Sequence, residues 1–317
     1  MGVLQNLTAK WLNRKADRIT SNGLYVSLDE LMSLRRYARC LTTTRTRRSY
    51  TDNVGDLRSA FKGRGIEMEE IREYGFGDDV RDIDWRVTAR KEKPYTKIYA
   101  EERDYEIWVW LDLSPRMLFG SKTELKSVTA AKTAALLGWE SLHDHARFGC
   151  VIFDGRAIHV FKPQNDRRNI MAILQKIAEI SKTALTNPTD DPALRLKALH
   201  RLNSLVKNQA GVFILSALTD WNDSYTTALS ALAKKTRLYA VNFSDELEKK
   251  APPAGQYMVE YNGDKLVFDS SSKSYRQAYE DYFAKKIEEK ETLFRRIGGH
   301  WLDFSAEDGL LKCLKIF

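Results

Sequence analysis

Beyond residue 105, short apolar runs alternate with longer stretches whose apolar residues recur every three or four positions. The short runs fall at 107–113, 147–153, 211–218, 237–243 and 300–304, and their near-continuous apolarity predicts strands buried on both faces. The longer stretches predict helices near 122–143, 166–182, 192–208, 224–235 and 272–297. Together they predict an α/β domain built on an open, mainly parallel sheet with helices on both faces. Gly155, between Asp154 and Arg156, allows a tight hairpin into an antiparallel edge at 157–162. Asn262 followed by Gly263 is a type I′ turn signal between segments at 257–261 and 265–268.

The chain before residue 105 has a different texture. Leu4, Leu7, Trp11 and Leu12 share a helical face with Arg14, Lys15 and Arg18 following, which predicts an amphipathic helix over 3–19. Such a face docks on its own domain, on a partner or peripherally on a membrane surface. Ser27 followed by Asp29 and Glu30 is an N-cap and an acidic first turn, and Leu31, Leu34, Tyr37 and Leu41 continue a second helix. Residues 43–66 are polar and basic and read as a long loop. Residues 67–105 read as irregular pieces broken by Gly75, Gly77 and Pro94, with a strand at 95–100. The expected division is an irregular N-terminal extension over 1–104 and the α/β domain over 105–317.

Composition narrows the function classes. The chain has 317 residues, 43% apolar, with 13 Phe, 14 Tyr and 7 Trp, enough to bury a core and inconsistent with a disordered chain. No stretch approaches the roughly 20 apolar residues of a membrane span. Cys40, Cys150 and Cys313 are isolated, which argues against a disulfide framework or a zinc ribbon and for a reducing compartment. No signal peptide is visible, and Asn6 breaks the myristoylation pattern, so the expected location is cytoplasmic, with peripheral membrane contact through 3–19 as the variant. The net charge is +8, and the nine basic residues between Arg35 and Arg64 face only Asp52 and Asp56. That run reads as a solvated face; a basic surface for anionic lipid or nucleic acid is the alternative, without any nucleic-acid motif beside it.

Candidate chemistry collects where the strands end, since ligands of open α/β sheets gather outside the carboxyl ends. The strand at 107–113 runs into Asp112 and Ser114, two hard oxygens of the kind magnesium takes. The strand at 211–218 leads to Ser216, Thr219 and Asp220, and Thr186 and Thr189 lie in the loop before the helix near Pro192. The set resembles the metal-ion-dependent adhesion site of von Willebrand factor A domains: Asp-x-Ser-x-Ser, then a Thr, then an Asp. Carried over, a magnesium ion would be held by Asp112, Ser114, Thr189 and Asp220, with Thr189 chosen over Thr186 for its Thr-Asp-Asp context. An acidic side chain of a partner protein would fill the open position. Arg116 stands where that pattern has its second Ser. Either it turns outward, or its charge replaces the ion by pairing with Asp112.

A more specific resemblance lies upstream. GRGIE at 63–67, REYGFGDDVRDIDWR at 72–86, TAR at 88–90, AEERD at 100–104 and DLS at 112–114 look like the signature of domain of unknown function family 58, with GLYVSLDEL at 23–31 as its lead. The resemblance covers about residues 20–245. It implies a von Willebrand factor A-like domain and a MoxR-type AAA+ ATPase as partner, hence a non-enzymatic adaptor working by protein–protein interaction. Physically, Arg72, Arg81, Arg86 and Arg90 stand among Glu70, Glu73, Asp78, Asp79, Asp82 and Asp84, a density that favours Arg–carboxylate networks. With Tyr74, with Trp85 expected to anchor the segment on the sheet domain, and with Arg116, these residues form either a structural clasp or a docking face. The competing reading is a metal-dependent, nuclease-like hydrolase using the carboxylates of Asp78 to Asp84 with Lys91 or Lys93.

Other chemistry is excluded more simply. His143 and His145 sit two apart on a helix end and do not share a face for zinc. No G-x-x-x-x-G-K-[ST] or G-x-S-x-G occurs, so the chain is neither a P-loop ATPase nor a nucleophile-elbow hydrolase. Trp108, Trp110, Trp139 and Trp221 fall in or beside predicted elements and read as packing residues.

Overall fold

The computed structural model describes residues 23–38, 62–75, 78–91, 93–100, 105–218, 222–261 and 264–305. The amphipathic segment at 3–19, most of the basic run, and Asp220 lie outside them. The chain divides into two compact units, one of Met1–Arg45 with Tyr105–Phe317 and one of Thr46–Asp104. The expected boundary at 104/105 is one edge of the second unit, while the helix after Ser27 is grouped with the α/β unit.

That unit is built on six strands: β3 (Glu106–Asp112), β4 (Arg147–Phe153), β5 (Ile158–Gln164), β6 (Gly211–Ser216), β7 (Arg237–Ser244) and β10 (His300–Ser305). Their order is β10-β7-β6-β3-β4-β5, all neighbours parallel except the antiparallel pair β4–β5. This is the open sheet with one antiparallel edge expected from the apolar pattern and from Gly155. Five helices of this unit, α3 (Lys126–His143), α4 (Arg167–Thr186), α5 (Pro192–Leu205), α6 (Asp223–Ala233) and α7 (Lys273–Arg296), fall where the apolar periodicity put them. Gln256–Tyr261 (β8) and Asp264–Asp269 (β9) pair as the expected hairpin, a separate two-stranded sheet.

Why the strands are apolar throughout is visible in β3. Val109 and Leu111 enter one core with Phe148, Ile152, Phe213 and Phe243, covered by α3 and α4; Trp108 and Trp110 enter the other with Phe153, Val212 and Ile214, covered by α5 and α6. Period-two alternation therefore buries both parities of residue. Cys150 is a buried free thiol, and burial pushes its ionisation upward. Among the described residues no helix is long and apolar enough to cross a membrane.

Helix α1 (Leu28–Ser33) is capped as expected, the Ser27 hydroxyl accepting from the Glu30 amide. Its Leu31 and Leu34 join the core beneath α3 and α4. Trp139 Nε1 donates to Leu31 O at 3.0 Å, the Val26 amide donates to Ser181 Oγ at 3.1 Å, and Lys132 Nζ lies 3.1 Å from Glu30.

The second unit contains β1 (Lys62–Glu73) paired antiparallel with β2 (Tyr95–Ala100), and α2 (Trp85–Lys91). The strand at 95–100 was legible; β1 replaces part of the expected loop and irregular segment. Its register shifts between Lys62 and Glu67 and again between Met68 and Glu70, so strict alternation, the signal of a strand, is broken by bulges.

Candidate functional site: a salt-bridged crevice at the sheet's switch point

From β3 the chain winds outward through β4 to β5, then returns to the other side of β3 as β6. The carboxyl ends of β3 and β6 are thus the switch point of the sheet. Asp112 closes β3 and Ser216 closes β6, and Ser216 Oγ donates to Asp112 Oδ2 at 2.8 Å. The other Asp112 oxygen accepts from the Ser114 amide at 3.0 Å, turning the chain into the single turn at Pro115–Met117. Beyond β6, the Leu218 amide bonds Ser216 Oγ at 3.2 Å and its φ of 50° is left-handed, an unfavourable conformation for a bulky residue that turns the chain sharply at this edge.

Asp112 and Ser114 therefore come together in the buried crevice. The cation beside them is Arg195, from the first turns of α5, only 2% exposed. Its Nε lies 3.9 Å from Asp112 Oδ2 without forming a hydrogen bond, and its Nη2 lies 3.5 Å from Ser114 Oγ and in close contact with Asp190 Oδ1. The guanidinium stacks 5.4 Å from the Phe153 ring centroid. Tyr225 closes the same region: burial raises its phenol, opposed by Arg195 and Arg116, and its hydroxyl donates to Pro192 O at 2.9 Å.

Arg116 turns away from Asp112 to Asp190, its Nε donating to Oδ2 at 2.6 Å. Asp190 thus bridges two guanidinium groups, and the sequence Asp112, Arg195, Asp190, Arg116 alternates in sign. Thr189 is held elsewhere: its hydroxyl accepts from Arg156 Nε at 2.9 Å, while Arg156 Nη2 donates to Asn187 O at 2.6 Å. These bonds, with the Asp191 amide on Gly155 O at 3.1 Å, tie the loop before α5 to the β4–β5 turn and so set where Asp190 and Arg195 stand. A divalent ion against Asp112 and Ser114 would face a guanidinium about 4 Å away, a repulsion on the order of 8 kcal/mol at an effective dielectric of about 20. Among the described residues no group of three His, Cys, Asp or Glu is arranged to hold a metal.

Arg195 carried a sequence signal that only the fold makes readable. It sits with Ala198, Leu199 and Leu202 on the buried stripe of α5, an arginine where the period demands an apolar residue. Nothing in the sequence alone said which carboxylates it would meet.

A second polar cluster closes the carboxyl end of β7. Ser121 donates to Asp245 through its amide at 2.8 Å and its hydroxyl at 2.6 Å. Burial pulls the Asp245 carboxyl upward, but the Ser121 bonds, the Leu247 amide and Lys126 outweigh it and hold the group below its ordinary value. Lys126, itself buried, reaches Glu248 at 2.6 Å. Burial depresses Lys290 despite the opposing pull of Glu248.

In the second unit the signature residues are largely committed to local structure. Asp78 pairs with Arg72 at 2.7 Å and accepts from the Gly75 amide at 2.9 Å, and Tyr74 donates its hydroxyl to Asp78 O at 3.0 Å. Asp79 caps the turn at Val80–Asp82 through the Arg81 amide. Asp84 caps α2 through the Arg86 and Val87 amides, and the Val87 bond foremost, aided by Lys97, keeps its carboxyl low. Glu73 pairs with Lys93 at 2.9 Å. Backbone amides thus take up three of the six carboxylates expected to form an arginine network, Asp78, Asp79 and Asp84, while Asp78 also keeps an arginine partner. Trp85 is 67% exposed and Val80 59% exposed.

The fold is an open α/β domain, mainly parallel, interrupted in sequence by the unit that carries the signature. The chain belongs to the family described as "Protein of unknown function DUF58", which matches residues 70–289. It is similar to "Uncharacterized protein Rv1480" of Mycobacterium tuberculosis and "Uncharacterized protein Mb1516" of Mycobacterium bovis, each 28% identical over 206 residues, 65% of this chain. The matched region spans 63% of the length of those relatives. Among solved structures it is similar to the conserved hypothetical protein BatB from Bacteroides thetaiotaomicron, with 14% identity and a TM-score of 0.40 over 67% of this chain and 94% of that one. An aerotolerance-related membrane protein from Bacteroides fragilis gives 12% identity and 0.38 over 67% and 100%, and the SpRpn10 VWA domain 11% and 0.33 over 67% and 93%.

Proposed function

We propose that the protein is a non-enzymatic adaptor that docks another protein through its signature unit. The observation that carries this reading is the exposure of Trp85 and Val80 beside the exposed Arg81, Arg86 and Arg90. An exposed large aromatic residue in an arginine-rich segment is the composition of an interface hot spot. The carboxylates that a hydrolase would need are turned instead to backbone amides and ion pairs, which supports a binding role. The partner class follows from the family resemblance: a MoxR-type AAA+ ATPase. In this reading the adaptor works in the cytoplasm, with residues 3–19 serving any peripheral membrane contact.

The test is capture of a purified MoxR-type ATPase by the immobilised full chain, with and without ATP. Trp85→Ala is expected to weaken capture by about tenfold or more, and Arg116→Ser to leave it unchanged. Equal capture by Trp85→Ala would move the docking face elsewhere. Absence of capture by the wild type in both nucleotide states would remove this partner class.

A further inference from the structure

We infer that Arg195 is the resident cation of the β3–β6 crevice, standing where an adhesion-site domain carries a divalent metal, so that the crevice is a metal-independent lock. Three independent features of the site lead there. First, the oxygens already have protein donors: Asp112 accepts from the Ser114 amide and the Ser216 hydroxyl, one on each oxygen, and Thr189 from Arg156. Second, the guanidinium is built in. It is 2% exposed, cradled by the Phe153 ring, and shared between Asp112 and Asp190. An arginine cannot shed its proton to make room for an ion, and no lone pair of its own can coordinate one.

Third, the charges close. Asp112 and Asp190 supply two negative charges, and Arg195 and Arg116 two positive ones, all within one connected chain of contacts. Asp190 supplies from within the protein the carboxylate that an ion here would draw from a partner. Among the described residues, adding a dication would leave two positive charges uncompensated beside a buried guanidinium. An arginine at a stripe position of α5, otherwise filled by Ala198, Leu199 and Leu202, is accounted for by this duty. The inference does not depend on the adaptor reading, because its test uses the protein alone.

The experiment is calorimetric titration of the EDTA-treated full chain with magnesium chloride and with manganese chloride, paired with thermal unfolding with and without each ion. Wild type is expected to give no saturable heat attributable to Asp112 and an unchanged Tm. Arg195→Gln removes the charge, leaves Asp112 without its cation while Asp190 keeps Arg116, and is expected to gain an ion-dependent rise in Tm; adding Asp112→Asn abolishes that gain. Saturable binding by wild type that Asp112→Asn removes would overturn the inference, and this holds even if Arg195→Gln does not fold. An Arg195→Gln protein that folds but ignores both ions also overturns it. Arg195→Lys, which keeps a cation, is expected to stay ion-independent, and an ion response there counts equally against the inference.

Discussion

Ser216 and Asp112, 104 residues apart in sequence, are joined by a 2.8 Å hydrogen bond between side chains that are both buried. The bond spans the two strand tips where the sheet changes winding direction, and Asp112 is at the same time a counter-charge of the buried Arg195. Ser216→Ala removes one neutral donor and is expected to cost about 1–2 kcal/mol. Asp112→Ala leaves a buried guanidinium short of a carboxylate and is expected to cost about 3–5 kcal/mol. Urea unfolding of Asp112→Ala, Arg195→Met and the double variant checks this. The double variant should be clearly more stable than the sum of the single losses, because neither charge is then stranded.

Gly155 makes the loop before α5 possible. Its φ is +91°, and a Cβ placed there would lie 1.7 Å from the Thr189 carbonyl oxygen. Gly155→Ala therefore combines left-handed strain with a backbone clash, and a loss of about 2–4 kcal/mol is expected. Ala157→Gly, at the far end of the same turn, lacks the clash and serves as the control in the same unfolding assay.

Acid should loosen the carboxyl end of β7. The folded pKa of Asp245 lies below the ordinary carboxylate value of 3.8, so the folded state binds its proton more weakly than the unfolded chain does. The stability it contributes is complete above roughly pH 5 and is lost as pH falls through 3.8 towards the depressed folded value. Asp245→Asn is expected to flatten the acid limb of the stability–pH curve while lowering stability at neutral pH. A variant with an unaltered acid limb would show that this carboxylate does not govern it.

Trp85→Ala should be nearly silent in the unfolding assay. The side chain is two-thirds exposed, so a change within about 0.5 kcal/mol is expected. A loss of several kcal/mol on substitution would show instead that the ring is packed, contrary to its exposure.

The α/β domain was legible because its signals are redundant. Each strand at 147–153, 211–216 and 237–244 is bounded by turn residues and followed or preceded by a stripe of apolar positions, and each element reinforces the next. The site was legible only in part. Asp112 and Ser114 could be placed at a strand end from sequence, because strand ends in open sheets are where polar tips gather. Arg195 could not, because its role depends on α5 lying over β3 and β4, a tertiary fact. Strand β1 escaped because its bulges break the two-residue period.

The order of the two units along the chain has a mechanical consequence. Residues 46–104 interrupt a unit whose parts lie on both sides of them, with α1 upstream and β3 downstream. A load applied to such an insertion enters the host at two anchored points, through the helix wedged beneath α3 and α4 and through the central strand. A single proteolytic nick within 46–104 should therefore leave α1 seated by its buried leucines, the two fragments held together without a covalent link.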